Sequence, residues 1–202
     1  MKIVMTGHTG GIGKCIYDNL SKIAGCEVVG FSRSTGHNIA DAESIQLIAE
    51  EGCDVFINNA FNYANENEND DQLNMLKCVY EKHYGEHARV MKIMPYNAIW
   101  RSFNNIADTP LIVNIGSVIY NTPDDHIRIE SNKKYKYSKM RLKDYASGKR
   151  IADIRPGLIH AGPTLDLSLR DLAHDPIVVY DAVKFVIDAY AKGVFIYEME
   201  VG

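Results

Sequence analysis

Long apolar runs are missing from this sequence. No stretch approaches the eighteen or more consecutive apolar residues that a membrane-spanning helix needs, so no membrane is expected as a partner. Paired cysteines are missing too. Cys15, Cys26, Cys53 and Cys78 show no CxxC spacing, which argues against a zinc site, and no other metal site is expected. Lone cysteines behind a first strand that begins at residue 2, with no visible signal peptide, read as reduced thiols in a cytoplasmic protein. Positive charge is not in excess: 22 Lys and Arg stand against 26 Asp and Glu, net −4, which gives no reason to expect nucleic acid. There is no internal repeat. What the chain does have is apolar residues, 46% of 202, enough for one domain over residues 1–202 with a proper core.

Glycine is concentrated at the start. In KIVMTGHTGGIGK, Lys2 to Lys14, the residues Ile3, Val4 and Met5 make the short apolar run of a buried parallel strand. Gly7, Gly10, Gly11 and Gly13 follow, and Ile12, Ile16, Leu20 and Ile23 open a helical pattern behind them. Strand, glycine turn and helix N-terminus in that order form a dinucleotide cradle. Glycine lets a pyrophosphate approach the backbone, and the free N–H groups of the helix start neutralise it. A triphosphate loop is rejected. It needs four residues between its first glycine and Gly-Lys-Ser/Thr, whereas five separate Gly7 from Gly13, and Cys15 replaces the magnesium-binding hydroxyl. Two dinucleotide spacings remain at this point, through Gly7, Gly11 and Gly13 or through Gly7, Gly10 and Gly13.

CEVVGFSR, Cys26 to Arg33, reads as a second strand. At its carboxyl end an acidic residue would bind the adenosine ribose hydroxyls. Ser32, Arg33, Ser34 and Thr35 stand there instead, and a guanidinium among hydroxyls suits a 2′-phosphate, so NADP is expected over NAD. No helical crossover fits between Arg33 and Asn38, so a third strand around His37 to Ile39 is rudimentary or reached by a tight loop. Asp41 or Ala42 begins a helix through Glu50. CDVFINNA, Cys53 to Ala60, is the next strand, and Asn62 to Asp71 is an acidic loop whose charge is solvation. From Asp71 to Asn105 the pattern is helical, with interruptions near Gly85 and at Pro95, and Trp100 and Phe103 are expected to pack.

LIVNIGSV, Leu111 to Val118, is a buried strand that leaves Ser117 on the sheet edge where open parallel sheets bind ligands. In KYKYSKMRL, Tyr135 and Lys139 share one helix face. An ammonium beside a phenol stabilises phenolate and tunes the tyrosine as a general acid. Tyr137 has Arg141 at the same spacing, and a guanidinium of fixed charge tunes a phenol poorly. IADIRPGLI, Ile151 to Ile159, is a strand broken by Pro156-Gly157, with Thr164 a few residues on. Val179 to Tyr190 follows helical spacing and Val194 to Val201 is a last strand.

Strands alternating with helices argue a doubly wound α/β fold, a mostly parallel sheet with helices on both faces. TGHTGGIG, INNA, Ser117, Tyr135-x-x-Ser138-Lys139 and Arg155-Pro156-Gly157, in this order and over nearly the whole chain, resemble the short-chain dehydrogenase/reductase superfamily in its compact form. The resemblance selects Gly7, Gly11 and Gly13. It implies an oxidoreductase that reduces a small carbonyl compound or oxidises the matching alcohol. Tyr135 would protonate the carbonyl oxygen, Ser117 would hold it, and Lys139 would bind the nicotinamide ribose and lower the tyrosine pKa. NADP(H) would meet Gly7, Thr9, Gly11, Ile12, Gly13, Ser32 and Arg33. Asn38 and Ile39 would lie by the adenine, Asn59 and Ala60 along the cofactor, and Pro156, Gly157 and Ile159 by the nicotinamide. Phe61, Ile119, Tyr120 and His160 are candidates for the substrate pocket.

The departures from that family are specific. Its central-helix asparagine, which supports a proton relay, falls near Lys82 or His83, and neither is an equivalent. The helix after Lys139 is about two turns short, and it is one on which homodimers of the family often pack. The substrate-covering segment after Gly157 is brief. The losses imply an open, small site and argue against the family's usual homodimer; the unmatched asparagine and the brief covering segment keep a second reading in play, a nucleotide-binding sensor or partner-binding protein that retained the cradle and lost catalysis.

Overall fold

The computed structural model describes residues 1–62, 70–91, 109–124, 130–159 and 173–201. Among the described residues six strands, β1 Lys2–Thr6, β2 Glu27–Phe31, β3 Val55–Asn58, β4 Leu111–Ile115, β5 Ile151–Pro156 and β6 Glu198–Val201, form one sheet in the order β2-β1-β3-β4-β5-β6. Every pairing is parallel. The α-helices of the described residues are α1 Gly11–Leu20, α2 Ala42–Glu50, α3 Asp71–Met91, α4 Glu130–Ala146 and α5 Ile177–Ala191.

Period-two alternation sorts the strand residues between two cores. Ile3, Met5, Val55, Ile57, Leu111, Val113 and Ile154 pack with Ile16 and Leu20 of α1 and Val183 and Val186 of α5. Val4, Phe56, Ile112 and Ile151 pack on the other face with Ile48 of α2, Leu73, Leu76 and Val79 of α3 and Leu142 of α4. Both faces being covered, the strands read in sequence as continuous apolar runs. The chain winds from β1 outward to β2, then crosses to β3 on the other side of β1. That reversal opens a crevice beyond the carboxyl ends of β1 and β3.

The third strand around His37 to Ile39 is absent among the described residues, and β2 is the sheet edge. After β2 the chain makes one 3₁₀ turn, Arg33–Thr35, closed by Gly36, and enters α2. Asp41 caps that helix, its carboxylate accepting from the Ser44 backbone N–H at 3.4 Å and hydroxyl at 3.0 Å. The interruption expected at Gly85 does not occur, and α3 runs through it to Met91. A Cβ at Gly85 would meet nothing within 4 Å, so this glycine sits on an open face and the hydrogen bonds around it carry the turn. The expected continuation to Asn105 with Pro95, Trp100 and Phe103, most of the acidic loop, and the positions of His160 and Thr164 lie outside the described residues.

Candidate active site

Two turns meet at the crevice. The Gly7 N–H donates to the Phe31 carbonyl at 2.7 Å, tying the glycine turn to the end of β2. The Thr6 hydroxyl accepts from the N–H groups of Asn59 and Ala60, both at 3.0 Å, and the Asn59 amide donates to the carbonyls of Thr6 and Gly7 at 3.2 Å. Asn59 thus spends its side chain on holding the first turn against β3. Thr6, fully buried, is its counterpart, and sequence reasoning passed over it.

The geometry separates the two glycine spacings. Gly11 sits at φ +52°, in the left-handed region that favours glycine, whereas Gly10 is extended at φ −152° with open space about it. Gly13 is required by close approach: a Cβ there would lie 2.0 Å from the Gly7 carbonyl oxygen and 2.4 Å from the Asn59 amide nitrogen. Helix α1 therefore starts hard against the turn, with no side-chain cap and no acidic residue in its first turn. Thr9 is exposed and Ile12 half-buried beside them. The Ser34 hydroxyl donates to Thr9 Oγ1 at 3.0 Å and lies 3.0 Å from the Ser32 hydroxyl, so the turn after β2 and the glycine turn share one hydroxyl network, with Arg33 exposed at its rim. Ile39 is buried in the core, and the Asn38 amide oxygen accepts from the Ala40 N–H at 3.2 Å.

The second cluster lies past β4. Ser117, buried, accepts from the Ile119 N–H at 3.2 Å and starts a 3₁₀ turn, Val118–Asn121. Helix α4 is tied to the same segment: the Lys136 ammonium donates to the Thr122 carbonyl and the Asp124 carboxylate, both at 2.6 Å. The Tyr137 hydroxyl donates to the other Asp124 oxygen at 2.7 Å, and these two donors hold the Asp124 carboxyl below its usual range. Arg141, four residues after Tyr137, donates through Nε to Asp70 at 2.7 Å.

Tyr135 and Lys139 do come together. The Lys139 ammonium lies 5.4 Å from the Tyr135 ring centre and 5.3 Å from that of Phe61, and the Phe61 and Tyr135 rings meet edge-to-face at 4.8 Å. Lys139 is 4% exposed and donates to the Ile115 carbonyl at 2.9 Å, two residues before Ser117, and to the Gln72 amide oxygen at 2.7 Å. Burial pushes its pKa down from 10.5 to about 7, opposed by the charge of Asp153. Pro156 is the last residue of β5, in register with Val201, and Gly157 and Ile159 follow it on the same sheet edge; the Gly157 N–H donates to the Val201 carbonyl at 2.8 Å, and Ile159 bridges to His174.

Behind the cluster runs a row of polar side chains that sequence reasoning missed. Asn58, Asn114, Asp153 and Glu198 are direct neighbours on β3, β4, β5 and β6. The Asn58 amide donates to Asn114 at 2.9 Å, the Asn114 amide to Asp153 at 2.6 Å, and Arg155 donates to Asp153 at 2.8 Å and pairs with Glu198. The carboxylate accepts only, so it fixes the direction of both amides. The one legible signal was a lone polar residue at the same depth of successive apolar strands.

No protein family model matches the chain, and no curated protein matches it in sequence. Solved structures do. The fold and the paired turns define a doubly wound, Rossmann-like α/β protein. More narrowly, it is a fold shared with dehydrogenases and reductases of known structure. The 3-alpha-hydroxysteroid dehydrogenase from Pseudomonas sp. B-0831, complexed with NADH, superposes with a TM-score of 0.65 at 15% identity, covering 99% of this chain and 95% of that one. The 3-ketoacyl-(acyl-carrier-protein) reductase from Brucella melitensis, also complexed with NADH, gives 0.66 at 15% identity over 98% and 96%. An alcohol dehydrogenase from the archaeon Thermococcus sibiricus, complexed with 5-hydroxy-NADP, gives 0.61 at 16% over 98% and 94%.

Proposed function

We propose that this chain is a short-chain dehydrogenase/reductase that uses NADP(H) to reduce a small carbonyl compound or oxidise the matching alcohol. The observation that carries the reading is the meeting of Tyr135 and Lys139, one helical turn apart, at the carboxyl end of β4. The dinucleotide, when bound, supplies or accepts the hydride. The residues fit such a group: a Cβ at Gly13 would fill the cradle, and α1 begins with no anion of its own. Gly7, Thr9, Gly11, Ile12 and Gly13 would hold the pyrophosphate and Lys139 the nicotinamide ribose. Tyr135 would pass its proton to the substrate oxygen, and Ser117 would orient that oxygen. Tyr135→Phe is expected to leave dinucleotide binding within about twofold and to cut turnover by about 10²–10⁴-fold. Full activity in that variant would remove the role.

NADP over NAD rests on Arg33 and the hydroxyls of Ser32, Ser34 and Thr9, with no acidic residue from Ser32 to Gly36. Arg33→Ala should weaken NADPH binding about tenfold and spare NADH. Equal losses would reject the preference. The structures of similar fold carry NADH as well as NADP-type ligands, so titration of both cofactors decides it.

Phe61 favours a second reading, a dinucleotide-binding sensor with little catalysis, because its ring lies against both Tyr135 and Lys139. A screen of aldehydes, ketones and quinones, run after binding of NADPH has been measured, separates the two. Binding without turnover of any class selects the sensor.

A further inference from the structure

Lysine has three N–H donors and no acceptor, so a buried ammonium keeps one orientation only if carbonyl-type oxygens face it. At Lys139 two do: the backbone carbonyl of Ile115 and the side-chain oxygen of Gln72 from α3. Gln72 is itself 1% exposed and has no freedom. Its amide nitrogen donates to the carbonyls of Asn58 at 3.0 Å and Ile115 at 3.1 Å, using both hydrogens. Its backbone carbonyl accepts from the Asn58 amide at 3.1 Å. Turning the side-chain amide over would set its nitrogen against the ammonium and its oxygen against two carbonyls. One orientation survives, and it points an acceptor at Lys139.

We propose that Gln72 is the positioning residue of Lys139: locked to β3 and β4 by its amide nitrogen, it aims its oxygen at the ammonium and holds that group beside Tyr135. The proposal rests on the reading of Lys139 as the lysine of an oxidoreductase. It accounts for the missing central-helix asparagine without a substitute at Lys82 or His83. Lys82 is exposed, whereas Gln72 reaches the lysine directly from the start of the same helix.

Among the described residues, the charged and titratable groups around Lys139 are few. β5 presents Asp153, with Arg155 and Glu198 beyond it, and α4 presents the Tyr135 phenol. α3 presents Asp71, next to Gln72, which accepts from Asn62 at 3.1 Å. Gln72 is neutral, and an oxygen accepting from an ammonium favours its charged form. Substitutions at 72 should therefore move the lysine's titration by the sign of what replaces that oxygen.

The test uses the full chain without cofactor, following the Lys139 ε-methylene by ¹³C NMR through pH 5–10, with Lys139→Met to identify the signal. Gln72→Met removes the acceptor and is expected to lower the midpoint by about one unit; Gln72→Glu adds a negative charge and is expected to raise it by about two. In the NADPH assay the pH limb of kcat should follow both displacements, with KM for substrate changed less than kcat. If Gln72 only fills space, either variant lets water reach the ammonium, and both midpoints move up or stay within about 0.3 unit. That result overturns the proposal. Should Gln72→Met fail to fold, judged by its thermal transition, Gln72→Leu supplies the neutral arm. A midpoint that follows Gln72 in a protein that binds no dinucleotide defeats the oxidoreductase reading alone; turnover with an indifferent midpoint defeats the positioning role alone.

Discussion

Gly10 and Gly11 are adjacent, alike in sequence, and unequal in what they allow. Gly10 is extended in open space, so Gly10→Ala should leave stability and NADPH affinity unchanged within error. Gly11→Ala forces a side chain into the left-handed region at φ +52° and should destabilise by about 1–2 kcal/mol. Gly13→Ala meets backbone and the Asn59 amide at 2.0–2.4 Å and has to open the turn, so affinity should fall by more than stability does. Thermal unfolding and NADPH titration of the three variants check the ranking; a Gly10 variant as damaged as Gly13 would return the glycines to the other spacing. Tyr135 and Tyr137 repeat the lesson. Both carry a basic residue four positions on, but only the first turns inward to its lysine, while the second serves as a clasp on Asp124.

Among the elements, α4 is the one that assembles the site. Lys136 fastens its middle to the segment after Ser117 while Lys139, three residues on, reaches under that segment to Ile115. Lys136→Met should free the 3₁₀ turn and destabilise by about 1–2 kcal/mol, the loss of two charge-assisted bonds with Asp124 able to resolvate. Its catalytic effect should fall on KM for the substrate, since Tyr135 and Lys139 keep their own contacts. Steady-state kinetics beside urea unfolding tests this, and a loss confined to kcat would contradict it. The strands and the glycine turn were legible in sequence because burial on both faces leaves unbroken apolar runs. Their ends were overrun, Cys26 to Arg33 against Glu27–Phe31 for example, because flanking residues such as Cys26 look the same whether or not they join the ladder. Gln72 was illegible for a different reason. It stands 67 residues from Lys139 and reads as a solvated residue at a helix start. Asn58, Asn114 and Asp153 each look like a blemish in an apolar strand, and only the register shows that they form a row.

For the molecule as a whole, a lysine inside a closed sheet face couples folding to pH with a sign opposite to that of an ordinary paired lysine. Lys139 titrates at about 7 in the folded chain against a usual 10.5. Below pH 7 both states carry its proton and the burial penalty is fully present. Between 7 and 10.5 the unfolded chain holds a proton that the folded chain lacks, so stability rises with pH, at up to about 1.4 kcal/mol per unit for one proton. Other groups cut this window short. Burial raises the Cys53 thiol and the Tyr84 and Tyr145 phenols to about 12, so the unfolded state loses those protons first and stability falls once pH passes their ordinary values near 9 and 10. Urea midpoints measured from pH 6 to 10 should therefore climb between about 7 and 8.5, level off and then decline. Lys139→Met should abolish the climb and keep the decline, and a climb that survives in that variant would mean the buried charge lies elsewhere. The same deprotonation would remove the positive charge beside Tyr135 over the same interval. NADPH affinity should then weaken as stability increases, the trade expected when a fold carries at its ligand edge a charge that its own packing disfavours.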